Sequence, residues 1–594
     1  MKWRALLGMA AAVASLSACD SRNHDSGDPV ASAPLFVAHA SAETGLAFVH
    51  QSGGCGKKHL IEITTAGVAL LDYDGDGDQD LFFAQGAPLP DTPEAARAGR
   101  DFRDRLFRND GKQGGQFLFT DVTEASGVSD AGASLDDYTC AAACPDFDGD
   151  GDPDLYLCNV GKNRFLRNDG GHFVDVTDEW GGASSEWSTA AVFADFDRDG
   201  DLDLYVVNYV RENLDHPGCG PRERGPEFRS FCHPDEFPPA DDALWRNDGW
   251  RLLDISAEVG LTQGTVGRGG AGLGAVFADV DGDGDRDLFV ANDSTPSFLW
   301  RNDSVRTFPG GSLRLTEIGS TAGVAVAGDG LSTAAMGCDF GDTDGDGDFD
   351  LLVANLDFEP NSFFRNDGHG NFDDRSTASG LGPPSLRFVG FGCELFDADL
   401  DGDLDALVVN GHVLDNVHLL DSAQTFRQPP HFYRNDGRGR FAQIGAEAGD
   451  YFAGQYVGRG LAIGDLDNDG DADAVVAHWD QPPMVLENRT VDARIKDGGG
   501  AAPRWIGFEL EGSGRNRQAI GARVEVRCGA TRQVEEVRGT SSFGAFSDLR
   551  LLFGLPPDDG SGVGAIDALI RWPDGKATRH TGLERGRYHH LREE

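Results

Sequence analysis

The side chains in this sequence best equipped for chemistry are carboxylates at alternate positions. Seven times the chain writes Asp-x-Asp-x-Asp-Gly-Asp-x-Asp: at Asp72, Asp74, Asp76, Asp78 and Asp80; Asp146, Asp148, Asp150, Asp152 and Asp154; Asp195, Asp197, Asp199, Asp201 and Asp203; Asp279, Asp281, Asp283, Asp285 and Asp287; Asp342, Asp344, Asp346, Asp348 and Asp350; Asp397, Asp399, Asp401, Asp403 and Asp405; and Asp465, Asp467, Asp469, Asp471 and Asp473. Hard cations such as calcium take six to eight oxygens. Alternate carboxylates on a tight loop converge on one point, and glycine at the sixth position allows the sharp turn. Asp-Gly-Asp favours turns on its own, but seven five-carboxylate loops without metal would repel themselves strongly. About seven structural calcium ions are therefore expected, one per loop. In the first copy the ligands would be the side chains of Asp72, Asp74, Asp76 and Asp80 and the backbone carbonyl of Asp78, whose own carboxylate is left toward solvent.

A second set of side chains could do different chemistry. His50, Cys55, His59 and Glu62 stand near the start, and His216, His233, His412, His418 and His431 fall in two long segments between strands. They could form a transition-metal or catalytic site. No spacing such as His-Glu-x-x-His accompanies them, and scattered polar loop histidines are the plainer reading. Asn159, Asn208, Asn292, Asn355 and Asn410 recur at one position after the second strand, which points to turn hydrogen bonding. Of ten cysteines, Cys338, Cys393 and Cys158 occupy positions held elsewhere by small apolar residues. Cys219 and Cys232 share one segment and are the best disulfide candidate; Cys55 with Cys140 is a weaker one.

The elements that must position these residues repeat with the loops. A small-apolar strand precedes each loop (Val192-Phe193-Ala194), a second follows (Leu204 to Asn208), a third carries Leu244-Trp245-Arg246-Asn247-Asp248-Gly249, and a fourth reads like Phe173-Val174-Asp175-Val176-Thr177. Four short strands per unit, with Asn-Asp-Gly marking the second hairpin turn, describe the blade of a propeller. The seventh unit lacks its fourth strand, and Phe36 to Ala40 followed by Glu43-Thr44-Gly45-Leu46 matches the missing pattern. The N-terminal strand is expected to complete the last blade and remove the exposed edges of an open ring. Connections from strand two to strand three are short at Val160 to Asn163, Asp293 to Ser297 and Leu356 to Ser362, but long at Gly86 to Arg105, Tyr209 to Ala243 and Gly411 to His431. They lie on the face opposite the Asp loops, which is the expected binding face.

Composition agrees with a repeat architecture. The 594 residues include 81 Gly and 99 Asp+Glu against 51 Lys+Arg, a formal charge of −48, yet 39% are hydrophobic, enough for a core. Such a charge excludes nucleic acid and anionic lipid surfaces as partners. Lys2 and Arg4 before an apolar run from Ala5 to Leu16, ending in Leu16-Ser17-Ala18-Cys19, read as an export signal with a bacterial lipobox. Cleavage before Cys19 and lipid attachment there would make the chain a cell-envelope lipoprotein, periplasmic or at the surface, touching the membrane only through that anchor. Residues 20–34 then form a tether, 35–490 the propeller, 491–503 a linker and 504–594 a small β domain. That last stretch carries 13 Arg and one Lys against 13 acidic residues, so the negative charge sits upstream.

The Asp loop resembles the first half of an EF-hand, without the bidentate Glu at position twelve. The repeated unit resembles the FG-GAP/VCBS propellers, including integrin α-chain heads. Asn516-Arg517, Ile520-Gly521-Ala522-Arg523-Val524, Phe553-Gly554-Leu555 and Arg571-Trp572-Pro573-Asp574-Gly575 resemble the ASPIC/UnbV domain. With Gly458-Arg459-Gly460-Leu461-Ala462 and Asn410-Gly411-His412-Val413, the chain is similar to bacterial relatives of cartilage acidic protein. The resemblance implies an exported, calcium-binding, adhesion-like family and supplies no catalytic residues. The expected fold is all-β: a seven-bladed calcium-binding β-propeller closed by an N-terminal strand, plus a small C-terminal β-sandwich-like domain. The expected function is a non-enzymatic scaffold for a protein or glycan partner. The alternative is an envelope enzyme, a lyase or oxidoreductase, using the histidine-rich face; a third option is assembly or maturation of another exported protein. The C-terminal Arg residues could contact the acidic propeller, an anionic glycan or only water.

Overall fold

The structure, a computed structural model, describes residues 34–54, 56–89, 92–94, 100–128, 138–216, 218–261, 269–304, 313–493, 503–557 and 565–594. The expected signal peptide, Cys19 and the tether up to residue 33 lie outside the described residues, as does most of the expected linker.

Seven sheets each contain four antiparallel strands side by side, in chain order from innermost to outermost in six of them and completed in the seventh by the N-terminal strand. The innermost strands are Val68–Leu71, Thr139–Ala143, Ser188–Ala194, Gly272–Ala278, Ala335–Gly341, Gly390–Phe396 and Gly458–Gly464. Each lies beside the next, and the last lies beside the first. Every residue in these strands is buried. That explains their small side chains: a Cβ on Gly337 would run into the Phe391 carbonyl of the neighbouring strand, and one on Gly274 into that of Met336. The N-terminal strand Phe36–Ala40 is the fourth strand of the seventh sheet, antiparallel to Met484–Asn488 with Phe36 opposite Asn488. Phe36 packs edge-on against Phe396 and Phe432, so the chain start is anchored in the core between the sixth and seventh sheets.

Residues 503–594 build two further sheets. One orders Leu551–Gly554, Trp505–Glu511 and Tyr588–Arg592; the other orders Thr531–Glu536, Arg523–Cys528, Ile566–Arg571 and Ala577–Leu583. Phe508, Val524, Phe553, Ile570 and Trp572 fill the core of this domain. The sequence pattern marks four of these strands, through the alternating segments Trp505 to Leu510, Ala522 to Arg527, Gln533 to Val537 and Ala568 to Trp572, and misses Leu551–Gly554, Ala577–Leu583 and Tyr588–Arg592. It also misses a short hairpin, Thr540–Ser541 with Ala545–Phe546, which joins the first repeat sheet through parallel pairing of Ala545 and Phe546 with Val68 and Ala69.

That hairpin enters the space the innermost strands surround. Ser542 pairs with Cys338, Val68 N–H donates to Gly544 O at 3.0 Å, Thr540 Oγ1 donates to Ala191 O at 2.8 Å, and Asp548 N–H donates to Ile463 O at 3.0 Å. Phe543 packs on Phe391 beyond them, with ring centroids 4.9 Å apart. The innermost strands have one edge with no partner in their own sheet, and the hairpin satisfies part of it.

Candidate metal centres

The Asp loops sit at the first hairpin of each repeat, and their conformation is built by the carboxylates themselves. In all seven the first Asp accepts the N–H of the sixth-position Gly, from Gly77 to Asp72 at 2.9 Å through Gly470 to Asp465 at 3.0 Å. In all seven the fifth Asp accepts the N–H of the seventh residue, as Asp285 to Asp283 at 2.7 Å. The ninth Asp opens the second strand and is buried in every loop. One of its oxygens accepts the N–H of a third-strand Asn: Asn109 to Asp80 at 2.7 Å, Asn302 to Asp287 at 2.8 Å and so on through all seven. In five loops its other oxygen accepts the N–H of position two, as Tyr73 to Asp80 at 3.0 Å. In the fifth it accepts the Thr343 hydroxyl, and in the sixth Asp405 Oδ2 has no hydrogen-bond partner.

These constraints bring the expected ligands together. Carboxylate oxygens of Asp72, Asp74 and Asp80, of Asp146, Asp148 and Asp154, of Asp195, Asp197 and Asp199, and of Asp279, Asp281 and Asp287 lie within 4.8 Å of one another. Two ligands of one calcium at 2.3–2.6 Å are at most about 5 Å apart, so the donor sets fit that ion. Asp146 Oδ1, Asp197 Oδ2, Asp279 Oδ1 and Asp342 Oδ1 are buried with no hydrogen-bond partner, so these acceptor oxygens are available to ligate a cation. Seventh-position carboxylates instead bond outside their own loop: Asp78 Oδ1 accepts Asn468 Nδ2 at 2.7 Å and Asp152 Oδ2 accepts Gly170 N–H at 2.9 Å. Asp78, expected to face solvent, is half-buried, and its counterparts Asp285 and Asp471 are buried.

Asp80, Asp154, Asp195 and Asp146 resist ionisation. Burial, set against the hydrogen bonds from Asn109 and Tyr73, pushes Asp80 up to about 8, and Asp154 rises to about 8 in the same way. Asp195 rises to about 8 and Asp146 to about 7, through burial first and then repulsion from the neighbouring loop carboxylates. A divalent cation would reverse that logic by favouring the ionised form.

Arg-rich residues 503–594 cover these loops. Arg517 and Arg532 donate to Asp150 O at 3.3 Å and Asp346 O at 2.9 Å, Arg550 to Asp465 O at 2.7 Å, and Tyr588 to Asp465 Oδ2 at 2.9 Å. Gln518 accepts Asp146 N–H at 2.8 Å and Gly554 N–H donates to Asp397 Oδ2 at 3.0 Å. Of the alternatives open for these Arg residues, contact with the acidic repeats is the one found. A cavity of about 380 Å³ remains over the fourth loop, lined by Asp279, Asp283, Arg286, Arg523, Arg532 and Arg571.

On the opposite face two of the long connections, 209–243 and 411–431, are tied to each other and to the segment 58–61. Glu212 accepts Leu60 N–H at 3.0 Å, Ile61 N–H at 3.2 Å and pairs with His59 at 3.1 Å; Asn416 Nδ2 donates to Glu227 O and Arg229 O; Lys58 pairs with Asp415. The histidines have separate environments. His50, beside Thr65 Oγ1 at 3.1 Å, is driven down to about 3 by burial and then by the Arg459 charge; His431, 3.0 Å from Tyr433 Oη, falls to about 4 by burial. His412 accepts Leu414 N–H, His233 accepts Asp235 N–H, and His418 is exposed. His216 lies 3.5 Å from Cys232, which is joined to Cys219 in a disulfide, the pairing expected from their shared segment. Of the weaker pair, Cys55 lies outside the described residues and Cys140 is a free buried thiol, as are Cys158, Cys338 and Cys393. The second-strand Asn residues make the expected turn bonds, Asn159 to Lys162 O, Asn208 to Asp241 O, Asn292 to Pro296 O, Asn355 to Pro360 O and Asn410 to Pro429 O.

One functional set escaped the sequence reading. In six repeats the third-strand Asn, read as turn chemistry, reaches the loop of the preceding repeat: Asn109 Nδ2 to Leu466 O, Asn168 to Tyr73 O, Asn302 to Phe196 O, Asn366 to Val280 O, Asn435 to Thr343 O and Asn488 to Ala398 O, at 2.7–2.9 Å. The signal was present. The Gly of Asn-Asp-Gly is replaced by Ser304 in the fourth repeat, and Arg489 replaces the Asp in the seventh, while the Asn never changes.

Among known proteins, the family described as FG-GAP-like repeat matches residues 146–206, 279–353 and 342–408, and that described as ASPIC and UnbV matches residues 512–594. Cartilage acidic protein 1 of Mus musculus is 23% identical over 518 residues, 86% of this chain and 61% of that protein; that of Xenopus tropicalis is 24% identical over 237 residues, 39% and 34% respectively. The chain therefore spans less than two thirds of these curated relatives. A solved structure of an Agrocybe aegerita lectin that recognises non-reducing terminal N-acetylglucosamine aligns with a TM-score of 0.38 at 14% identity, covering 70% of this chain and 86% of the lectin.

Proposed function

We propose that this chain, which combines FG-GAP-like repeats with an ASPIC/UnbV domain and is distantly related to cartilage acidic protein 1, is an exported seven-bladed calcium-binding propeller acting as a non-enzymatic scaffold for a protein or glycan. The observation that carries the calcium reading is the convergence of loop carboxylates with buried, unpartnered oxygens among them. The scaffold reading draws on the division of the two faces. The loops are covered by the C-terminal domain, whereas two of the long connections on the other side are tied to each other and leave His418, Arg224 and Arg229 exposed. Rigid loops on a fixed frame suit recognition.

Export and lipid attachment rest on Cys19 and the residues before it, and are tested by labelling with a fatty-acid probe in cells carrying Cys19→Ser. Metal content is the central test. Mass spectrometry of the purified chain should return about seven calcium per molecule. Stoichiometric copper, iron or zinc lost on His59→Ala or His412→Ala would instead favour an envelope enzyme.

A further inference from the structure

The third-strand Asn residues do more than cap turns. Phe196 N–H donates to Asp203 of the third loop at 3.1 Å, and Phe196 O accepts Asn302 Nδ2 at 2.8 Å; the N–H of that same Asn302 donates to Asp287 of the fourth loop at 2.8 Å. Val280 then repeats the pattern, donating to Asp287 at 3.1 Å and accepting Asn366 Nδ2 at 2.9 Å, while Asn366 N–H donates to Asp350 of the fifth loop at 3.0 Å. The ninth-position carboxylates of the third, fourth and fifth loops are thereby joined in series, each to the next through one backbone residue and one Asn.

From this relay we infer that these Asn residues are positioning residues that couple neighbouring cation sites, so that filling one loop raises the affinity of the loops beside it. The inference rests on the calcium reading and goes beyond it. A bound ion fixes the carboxylate; the carboxylate fixes position two; position two fixes the Asn and, through its N–H, the carboxylate of the next loop. The relay runs from the third loop through the fourth and, by way of the Thr343 hydroxyl, the fifth to the sixth, and separately from the seventh to the first and second; between the sixth and seventh it is interrupted, because Asp405 Oδ2 has no hydrogen-bond partner. It also breaks between the second and third, because Asn247 Nδ2 reaches only Leu202 O of its own repeat, at 3.2 Å. Free energy passes between sites only if each biases the arrangement the other prefers, and buried hydrogen-bonded groups with few alternatives meet that condition.

The test is calcium titration of the stripped full-length chain, in a double-mutant cycle. The fourth loop is disabled by Asp279→Ala with Asp281→Ala, alone and together with Asn302→Leu and Asn366→Leu. With the Asn residues present, loss of the fourth loop should weaken the third and fifth about fivefold, a typical coupling, so that more than one calcium is lost at subsaturating free calcium. With both Asn residues replaced, disabling the fourth loop should remove one calcium and no more. Asn247→Leu, which breaks a bond within its own repeat, measures the merely structural effect, and the near-isosteric Asn302→Asp substitutes if the Leu variants do not fold. Loss of a single calcium whether or not the Asn residues are present would overturn the coupling and leave the calcium reading intact. A wild-type chain that binds no calcium would overturn both.

Discussion

The two faces of the repeat assembly are built on opposite plans. The loop face repeats one nine-residue solution seven times, and its stability is electrostatic: carboxylates hold backbone N–H groups, leave oxygens unpartnered, and lie beneath an Arg-bearing domain. The opposite face repeats only the second-strand Asn turn, and its connections differ in length and sequence. It is held by a disulfide, by Glu212 capping the Leu60–Glu62 turn, and by apolar packing of Leu60, Ile61, Tyr209, Phe231 and Phe237 around the tip of the C-terminal hairpin at Phe543. One face should thus respond to metal and pH, and the other to redox state and side-chain volume.

The largest expected effect breaks the first half of that comparison. Each filled site held at about 100 times its Kd contributes ~2.7 kcal/mol, so EDTA should lower the melting temperature by many degrees in wild-type protein. The pH dependence should also invert. Without metal, Asp80, Asp154 and Asp195 titrate near 8 in the folded chain, against an ordinary value of 3.8. The native state then binds more protons than the unfolded one between these limits, so stability present at pH 4 is lost as pH rises toward 8. In EDTA the protein should melt lower at pH 8 than at pH 5. In calcium the order should reverse, because the ion takes only the ionised form. An unchanged melt in EDTA at both pH values would remove the metal from the account of this face.

Next in size is Phe543→Ala, which empties a buried aromatic site where the C-terminal hairpin meets Phe391. A loss of ~3–5 kcal/mol is expected from transfer and cavity terms together. Calorimetry should find it in the presence of saturating calcium as well, since the site is apolar. The disulfide comes third. Cys219 and Cys232 close a loop with a sequence separation of 13, for which the chain-entropy estimate is about 3 kcal/mol. Reduction or a double Ala variant should lower stability by up to that amount without altering the calcium content.

Legibility from sequence also divided by face. The Asp loops, the N-terminal strand and the second-strand Asn turns were readable because each is a local pattern repeated several times, so one copy checks another. The Cys219–Cys232 pairing was readable because the two share one short segment. The covering of the loops by residues 503–594 was not readable. Its contacts join residues far apart in the chain, 186 positions for Arg532 to Asp346 and 367 for Arg517 to Asp150, and many end on backbone carbonyls that carry no residue signature. The hairpin at 540–546 has strands of only two residues, held by main-chain bonds to Val68 and Cys338 and by the Thr540 hydroxyl on Ala191 O, so it is too short for hydrophobic periodicity to detect. The third-strand Asn was hidden for another reason: turn chemistry already accounted for it.

The smallest effect sharpens where electrostatics stops mattering on the loop face. Arg515 lies over the exposed Trp250 ring at 4.0 Å and 3.4 Å from Asp201, both part-solvated. Screening and side-chain entropy limit such contacts, so Arg515→Ala should cost no more than ~1 kcal/mol. Arg550 differs in kind. Its side chain is nearly buried, donates to Asp465 O and Asn468 Oδ1, and pairs with Asp548 at 2.7 Å. Removing it leaves Asp548 buried without its cation, and a broken buried pair costs ~3–5 kcal/mol. Paired melts of Arg515→Ala and Arg550→Ala in high and low salt therefore separate the two cases: only the first should approach wild type as salt rises. Equal losses at both positions would mean that the C-terminal domain is held by shape and apolar contact, with its guanidinium groups contributing nothing specific.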